Sequence, residues 1–131
     1  MRYLLDTKVF LWMQAEPNKL GPRAAEILTH ERNELYLSAA SAWEIALKYR
    51  LGRVVLPHKP ARYVPERMAA SQILHLPIDA SHALGVAELD DHHTDPVDRL
   101  LVSQAKLEKM RIVSADATLG HYGVEVIDAA T

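Results

Sequence analysis

The segment that decides the fold is Arg2-Tyr3-Leu4-Leu5-Asp6, a short apolar run that ends in an acid. Its length and unbroken apolar centre favour a buried β-strand, because a strand that is covered on both faces has no polar alternation. Further short apolar runs alternate with longer segments of helical pattern along the rest of the chain. Such alternation is typical of an α/β sandwich with a mostly parallel sheet. We therefore expect an α/β fold with a five-stranded sheet flanked by helices.

The predicted elements follow one another with clear boundaries. The expected strands are Arg2–Asp6, Leu35–Leu37, Ile73–Leu76, Ile112–Val113 and Val124–Ile127. The expected helices are Val9–Met13, Arg23–Glu31, a helix capped by Ser38 or Ser41 that runs to Leu51, Pro60–Ser71, Asp79–Glu88 and Pro96–Lys109. The last helix has the strongest start signal, because Asp95 suits a cap, Pro96 suits the first turn and Asp98 follows three residues after the cap. The longest irregular stretch is Val54–Pro65, which contains three prolines.

Length and composition limit the classes of protein that the chain can belong to. Its 131 residues, 49% of them hydrophobic and 24% charged, predict a single domain over residues 1–131 with a real core. No apolar run reaches the roughly 20 residues that cross a bilayer, and the early charge at Asp6 argues against a secretory signal. The absence of cysteine excludes disulfides, thiol nucleophiles and cysteine-bound zinc, and fits a cytoplasmic protein. The net charge of −2 decides little about partners, because clustering of charge matters more than its sum.

Four acids occupy positions where an acid is unexpected. Asp6 ends the first strand and Asp116 follows the fourth, so both should lie at the carboxyl edge of a parallel sheet, where open α/β folds bind ligands. Glu44 shares a helical stripe with Ala40, Leu47 and Leu51, and Asp98 shares one with Leu101, Val102 and Ala105. We expect both stripes to face the core. A buried carboxylate without a partner is strongly unfavourable, so either a basic residue pairs with each acid or a cation gathers them.

Each acid taken alone also has a purely structural explanation. Asp6 and Asp116 are placed to cap the turns that follow them, and Asp98 suits the positive end of a helix dipole. Glu44 is spaced to pair with Lys48 at i+4. The joint occurrence of the four acids favours a shared site. Without cysteine, oxygen ligands favour Mg²⁺ or Mn²⁺ over zinc, and Lys8, Lys48 and Arg99 are candidate contacts for a substrate phosphate.

Other functions have weaker support in the sequence. The adjacent pair His92-His93 suggests zinc, but adjacent side chains of an extended segment point in opposite directions and no His-Glu-x-x-His run occurs. No Gly-x-Ser-x-Gly elbow or glycine-rich phosphate loop is present. A Mg²⁺-dependent phospho-acceptor domain needs a reactive lysine at a strand end, which we cannot identify. A catalytically silent interaction module is the remaining alternative, because the first helix is apolar all round and could pack on a partner.

The chain resembles a PIN domain, specifically a VapC-type toxin ribonuclease of a toxin–antitoxin pair. The resemblance extends over nearly the whole chain and depends on the order and spacing of several motifs: Tyr3-Leu4-Leu5-Asp6-Thr7 with Leu11-Trp12, Ser38-Ala39-Ala40-Ser41-Ala42-Trp43-Glu44-Ile45, Lys48 through Gly52-Arg53, Leu76-Pro77-Ile78, His92-His93-Thr94-Asp95-Pro96-Val97-Asp98-Arg99-Leu100-Leu101, Ser114-Ala115-Asp116 and Tyr122-Gly123-Val124. Two residues depart from the pattern. Lys8 stands where this subgroup often has histidine, and Val97 where it often has phenylalanine.

The resemblance implies a site and a set of partners. Asp6, Glu44, Asp98 and Asp116 match the acidic quartet of the family, with Asp6 and Asp98 as metal-holding residues and the other two in a second or shared shell. The matching supporting residues are Thr7, Ser41 and Ser114. Because the sequence makes Asp95 the cap of the last helix, we rank it below Asp98 as a ligand and expect at most a hydrogen bond to a metal-bound water. The implied activity is Mg²⁺- or Mn²⁺-dependent cleavage of RNA, such as structured tRNA. The implied partners are a second copy of the chain and a cognate antitoxin. We expect the antitoxin to place an arginine near the acids, because guanidinium binds carboxylate in a forked geometry.

Overall fold

The computed structural model describes residues 1–131 and contains one five-stranded sheet. The strands are β1 (Arg2–Leu5), β2 (Glu34–Ser38), β3 (Ile73–Leu76), β4 (Arg111–Ser114) and β5 (Val126–Asp128). Their order across the sheet is β3-β2-β1-β4-β5, and every neighbouring pair is parallel. The predicted fold class is confirmed. The central position of β1 places Asp6, the next residue, at the middle of the carboxyl edge.

Six α-helices connect and cover the strands. They are α1 (Thr7–Ala15), α2 (Pro22–Thr29), α3 (Ala39–Arg50), α4 (Pro60–Ala70), α5 (Ala80–Gly85) and α6 (Pro96–Glu108). Short 3₁₀ turns occur at Pro17–Lys19, Val86–Glu88 and Ala117–Tyr122. Departures from the predicted bounds include three elements: α1 is two residues longer at each end, α5 tightens into a 3₁₀ turn after Gly85, and β5 begins only after the left-handed turn at Gly123 (φ 79°). None of the helices combines the length and apolar composition that crossing a bilayer requires.

The core is divided between the two faces of the sheet. Leu4 and Leu5 are both fully buried, yet they belong to different hydrophobic clusters. This follows from the strand geometry, because successive side chains point to opposite faces. Burial on both faces explains why β1 has an unbroken apolar sequence. It also holds the end of β1 in a fixed place between two packed layers.

The apolar helix surfaces differ from the expectation. In α1, Leu11, Trp12 and Met13 are partly buried and pack against the core, so the chain itself covers much of this helix. In α3, the expectation that Leu47 and Leu51 face the core is wrong, because their side chains are 42% and 56% exposed. Only the first half of this helix packs inward, and residues 46–50 are all exposed. Helical periodicity shows which residues share a face but not where the core stops covering that face.

A buried polar contact connects α6 to the start of α3. The Ser38 hydroxyl caps α3 by accepting from the Ala40 amide at 3.0 Å, and it donates to Gln104 Oε1 at 2.6 Å. The Gln104 side chain is fully buried, and its Nε2 donates to the Pro77 carbonyl at 3.1 Å. Since α3 carries Glu44 and α6 carries Asp98, this contact fixes the two acid-bearing helices relative to each other.

We predict that Gln104→Met, which keeps the side-chain volume, lowers the free energy of unfolding by roughly 2 kcal/mol. The substitution removes the partner of the buried Ser38 hydroxyl and the donor to the Pro77 carbonyl. Urea denaturation followed by circular dichroism measures the change. An unchanged unfolding midpoint would show that this contact does not stabilise the fold.

Candidate active site

The four predicted acids converge in one cavity at the carboxyl edge of the sheet. The cavity has a volume of about 410 Å³, and its walls come from the ends of β1 and β4 and from α1, α3 and α6. Its acidic lining residues are Asp6, Glu44, Asp95, Asp98 and Asp116. Residues that are far apart in the sequence therefore share one small volume. The parallel sheet is the cause, because it brings the residues after β1 and after β4 to the same edge.

Asp6 is the most enclosed of these acids. It is only 6% exposed and caps α1, with Oδ1 accepting from the Val9 amide at 2.7 Å. Its Oδ2 accepts from the Ser114 hydroxyl at 2.6 Å and from the Ala115 amide at 3.0 Å. Burial raises the pKa of Asp6, and these three hydrogen bonds oppose that rise. The structural and functional explanations of Asp6 are thus compatible, since the cap fixes the carboxylate at the cavity wall.

Asp98 lies at the start of α6, where Asp95 is the cap, as the sequence predicts: the Asp98 amide donates to Asp95 Oδ1 at 3.0 Å. Among the acids of the cavity, the Asp98 carboxylate is the one most strongly repelled by its neighbours. Burial, together with the negative charges of Asp95, Asp6 and Glu44, raises the pKa of the Asp98 carboxyl to about 7. Unlike the stripe of Glu44, the stripe of Asp98 does face the core, because Leu101, Val102 and Ala105 are fully or almost fully buried.

Asp116 and Glu44 are stabilised by direct partners. Asp116 Oδ1 accepts from the Thr118 hydroxyl at 2.6 Å and from the Thr118 amide at 3.0 Å. These bonds, together with one from His93, hold the pKa of Asp116 below its usual range. Glu44 Oε2 lies 3.3 Å from Lys48 Nζ, as the i+4 spacing allows. This ion pair leaves Glu44 accessible from the cavity, because both residues line the cavity and Lys48 is about half exposed.

His93 is a site residue that the sequence interpretation missed. Its Nε2 lies 2.7 Å from Asp116 Oδ2 and 3.6 Å from Asp98 Oδ2. Potential ligand atoms of His93, Asp98 and Asp116 all lie within 4.8 Å of one another. The sequence interpretation considered His92 and His93 only as a zinc-binding pair, and the structure places only His93 in the cavity wall. The sequence did offer one indication that His93 belongs to the site: it lies two residues before Asp95, the cap of the helix that carries Asp98.

The basic residues near the cavity differ in part from those predicted. Lys8 and Lys48 line the cavity, and Arg53, which was not predicted, lines it as well. Arg99 is a correction, because it does not line the cavity and its guanidinium is already occupied. It donates to the Tyr122 hydroxyl at 3.1 Å and to the carbonyls of Val86, Leu89, Asp90 and His93. Arg99 therefore holds the loop before α6 and is not available as a phosphate contact.

The donor set of the cavity fits a hard divalent cation. Carboxylate oxygens dominate the lining, and these are the ligands that Mg²⁺ and Mn²⁺ prefer. Thr7 also lines the cavity, and its buried hydroxyl has no hydrogen-bond partner in the protein. Such a hydroxyl is suited to a metal-bound water. Ser41 likewise has a buried hydroxyl without a partner, but it is not among the residues that line the cavity.

Comparison with known proteins gives one family and several similar structures. The model of the PIN domain family matches residues 3–125. Ribonuclease VapC16 of Mycobacterium tuberculosis is 48% identical over 56 residues, which cover 43% of this chain and 40% of that protein. The chain thus aligns with less than half of the length of this relative.

Similar solved structures cover almost the whole chain. VapBC2 from Rickettsia felis, bound to a DNA fragment from its promoter, matches with a TM-score of 0.70 at 16% identity, over 97% of this chain and 98% of that one. VapBC-1 from nontypeable Haemophilus influenzae matches with a TM-score of 0.69 at 13% identity, over 100% of both chains. FitAcB from Neisseria gonorrhoeae matches with a TM-score of 0.58 at 23% identity, over 95% of this chain and 96% of that one. At these identities the likeness shows the fold.

The raised pKa of Asp98 predicts that cation-free protein loses stability as the pH rises. Between pH 3.8 and about 7 the unfolded chain ionises this carboxyl while the folded chain keeps it protonated, so unfolding becomes easier with increasing pH. We expect Asp98→Asn to be more stable than the parent at pH 8 by roughly 3 kcal/mol, and this advantage to be smallest near pH 4. Urea denaturation in EDTA across this range measures the difference.

The matched control is Asp91→Asn, because the Asp91 side chain is fully exposed. It should change the free energy of unfolding little, because the side chain makes no buried contact. An advantage of Asp98→Asn that stays constant with pH, or that grows toward acid pH, would contradict the assigned repulsion.

Proposed function

We propose that this chain, which belongs to the PIN domain family, is a metal-dependent endoribonuclease and the toxin of a toxin–antitoxin pair. The observation that carries the proposal is the convergence of four carboxylates from four parts of the sequence in one cavity. Asp6, the most buried of them, forms no direct ion pair and accepts hydrogen bonds from three neutral donors, while the charge of Lys8 also lowers its pKa. The name of the aligned relative, Ribonuclease VapC16, supports RNA as the substrate.

The proposed division of roles follows from the positions of the acids. Asp6 and Asp98 hold the metal, directly or through water, because they are the two acids of the cavity whose pKa burial raises. A bound Mg²⁺ or Mn²⁺ would neutralise phosphoryl oxygens and lower the pKa of a bound water. Glu44 and Asp116 complete the shell, and one of them orients the attacking water or accepts its proton. Thr7 supports this arrangement at the wall of the cavity, and Ser114 supports it through its hydrogen bond to Asp6.

The substrate phosphate meets the basic side of the same cavity. Lys8, Lys48 and Arg53 line it together with the acids, so the lining supports both metal binding and phosphate binding. We propose a structured RNA, such as a tRNA, as the substrate, because RNA recognition depends mainly on shape and on unpaired loops.

The proposed partners are an antitoxin and a second copy of the chain, both in the cytoplasm. Similar chains occur in structures named VapBC and in a toxin–antitoxin complex from Klebsiella pneumoniae. A protein contact is further supported by α3, where Trp43, Leu47 and Leu51 form an exposed apolar stripe at i, i+4 and i+8. We propose that the antitoxin places an arginine near the acids, since guanidinium binds carboxylate in a forked geometry.

The decisive test is Asp6→Asn, assayed on total cellular RNA with Mg²⁺ and with EDTA. We expect the parent to cleave only with the metal, and the variant to lose at least roughly 100-fold in rate because a charged metal-holding oxygen is gone. Circular dichroism should show that the variant remains folded. Asp91→Asn is the matched control, and it should cleave at the rate of the parent.

Sequencing the cut ends tests the water mechanism separately. Attack by a metal-bound water leaves a 5′-phosphate and a 3′-hydroxyl. A 2′,3′-cyclic phosphate would instead show attack by the RNA's own 2′-hydroxyl. That result, or cleavage by Asp6→Asn at the rate of the parent, would overturn the proposed mechanism.

A further inference from the structure

His93 makes two specific contacts within the acidic cavity, one through each ring nitrogen. On one side, Nε2 lies 2.7 Å from Asp116 Oδ2. On the other side, Nδ1 lies 3.0 Å from the backbone amide of Asp95. The ring is about four-fifths enclosed, and it stands between the carboxylates of Asp116 and Asp98. This residue is either a metal ligand or a group that holds one of the acids in place.

The contact with Asp95 decides which nitrogen of a neutral ring carries the proton. A backbone amide is only a donor, so Nδ1 must accept from it and therefore has no hydrogen of its own. A neutral imidazole carries one proton, which is then on Nε2. A ring turned over by 180° would present carbon atoms to both Asp95 and Asp116 and lose both bonds. The geometry thus makes Nε2 a donor toward Asp116 Oδ2.

The same contact argues against His93 as a metal ligand. A ligating Nε2 must offer a lone pair, and the proton of the neutral ring must then be on Nδ1. That proton would face the amide hydrogen of Asp95, and the two donors would repel each other. The Asp95 amide cannot easily move away, because Asp95 also caps α6 through its side chain.

Arg99 holds the backbone of the loop that carries His93. The guanidinium of Arg99 donates to the carbonyls of Asp90 at 2.9 Å and of His93 at 3.3 Å. The ring and the backbone of His93 are thus both fixed to the first turns of α6. Asp116 is correspondingly held at both oxygens, since Thr118 donates to Oδ1 and His93 to Oδ2.

We propose that His93 is a positioning residue, whose Nε2–H orients the Asp116 carboxylate toward the metal shell and which does not itself bind the metal. The proposal depends on the proposed nuclease function for its purpose. Its first test requires neither RNA nor cleavage, so the proposal for His93 and the proposed nuclease function can fail independently of each other.

The first test reads the tautomer of His93 directly in the intact wild-type chain. Long-range ¹H–¹⁵N NMR of uniformly labelled protein distinguishes a protonated from an unprotonated ring nitrogen, and the signals that disappear in His93→Gln assign the residue. We expect Nε2–H and a bare Nδ1, both without metal and with saturating Mg²⁺. An Nδ1–H tautomer in either state would overturn the proposal.

The second test measures Mg²⁺ binding by calorimetry in two variants. His93→Ala removes the donor and should weaken binding about 10- to 100-fold, as the loss of outer-shell partners typically does. His93→Gln supplies an amide N–H in place of Nε2–H and should recover most of that loss. The control is His92→Gln, whose ring packs against His121 and Tyr122, away from the acids. Equal binding by the Ala variant and the parent would overturn the proposal.

Discussion

Repulsion among closely spaced carboxylates is the constraint on which the rest of the structure depends. Asp6 is almost wholly buried at the end of the central strand, and Asp98 has its pKa raised to about 7 by burial and by neighbouring acids. Charges in such a place are costly unless donors or a cation compensate them. The protein supplies donors to Asp6 and Asp116 but leaves Asp98 largely uncompensated. This imbalance supports the proposal that a divalent cation binds in the cavity.

The surrounding fold serves to keep these groups in place against their repulsion. Helix caps recur in this role, because Asp6 caps α1 and Asp95 caps α6 while both line the cavity. Two polar side chains that lie outside the cavity also help to hold the acid-bearing elements in place. Gln104 connects α6 to the start of α3, and Arg99 holds the loop that carries His93. Stability and proposed function thus depend on many of the same hydrogen bonds.

Errors of the sequence interpretation have identifiable physical causes. Leu47 and Leu51 were expected in the core, but the period of a helix does not reveal where its covering layer ends. Arg99 was expected at a phosphate, but a guanidinium has five donors and the nearby loop offers carbonyls that occupy them. His93 was missed because its role requires an acid 23 residues further along the chain. Each error concerns how one element packs against the rest of the chain, which the pattern within that element does not show.

The amino-acid sequence by itself determined the alternation of strands and helices, the start of α6 at Asp95-Pro96 and the identity of the four acids, because these depend on local patterns and on residue chemistry. The tertiary structure alone decided that Arg53 and His93 join the cavity wall, that Ser41 stays outside it and that Arg99 turns away. The reason is that a parallel sheet brings together the ends of strands that are far apart in the chain. Which side chains then meet depends on the packing of whole layers, and no local pattern records that packing.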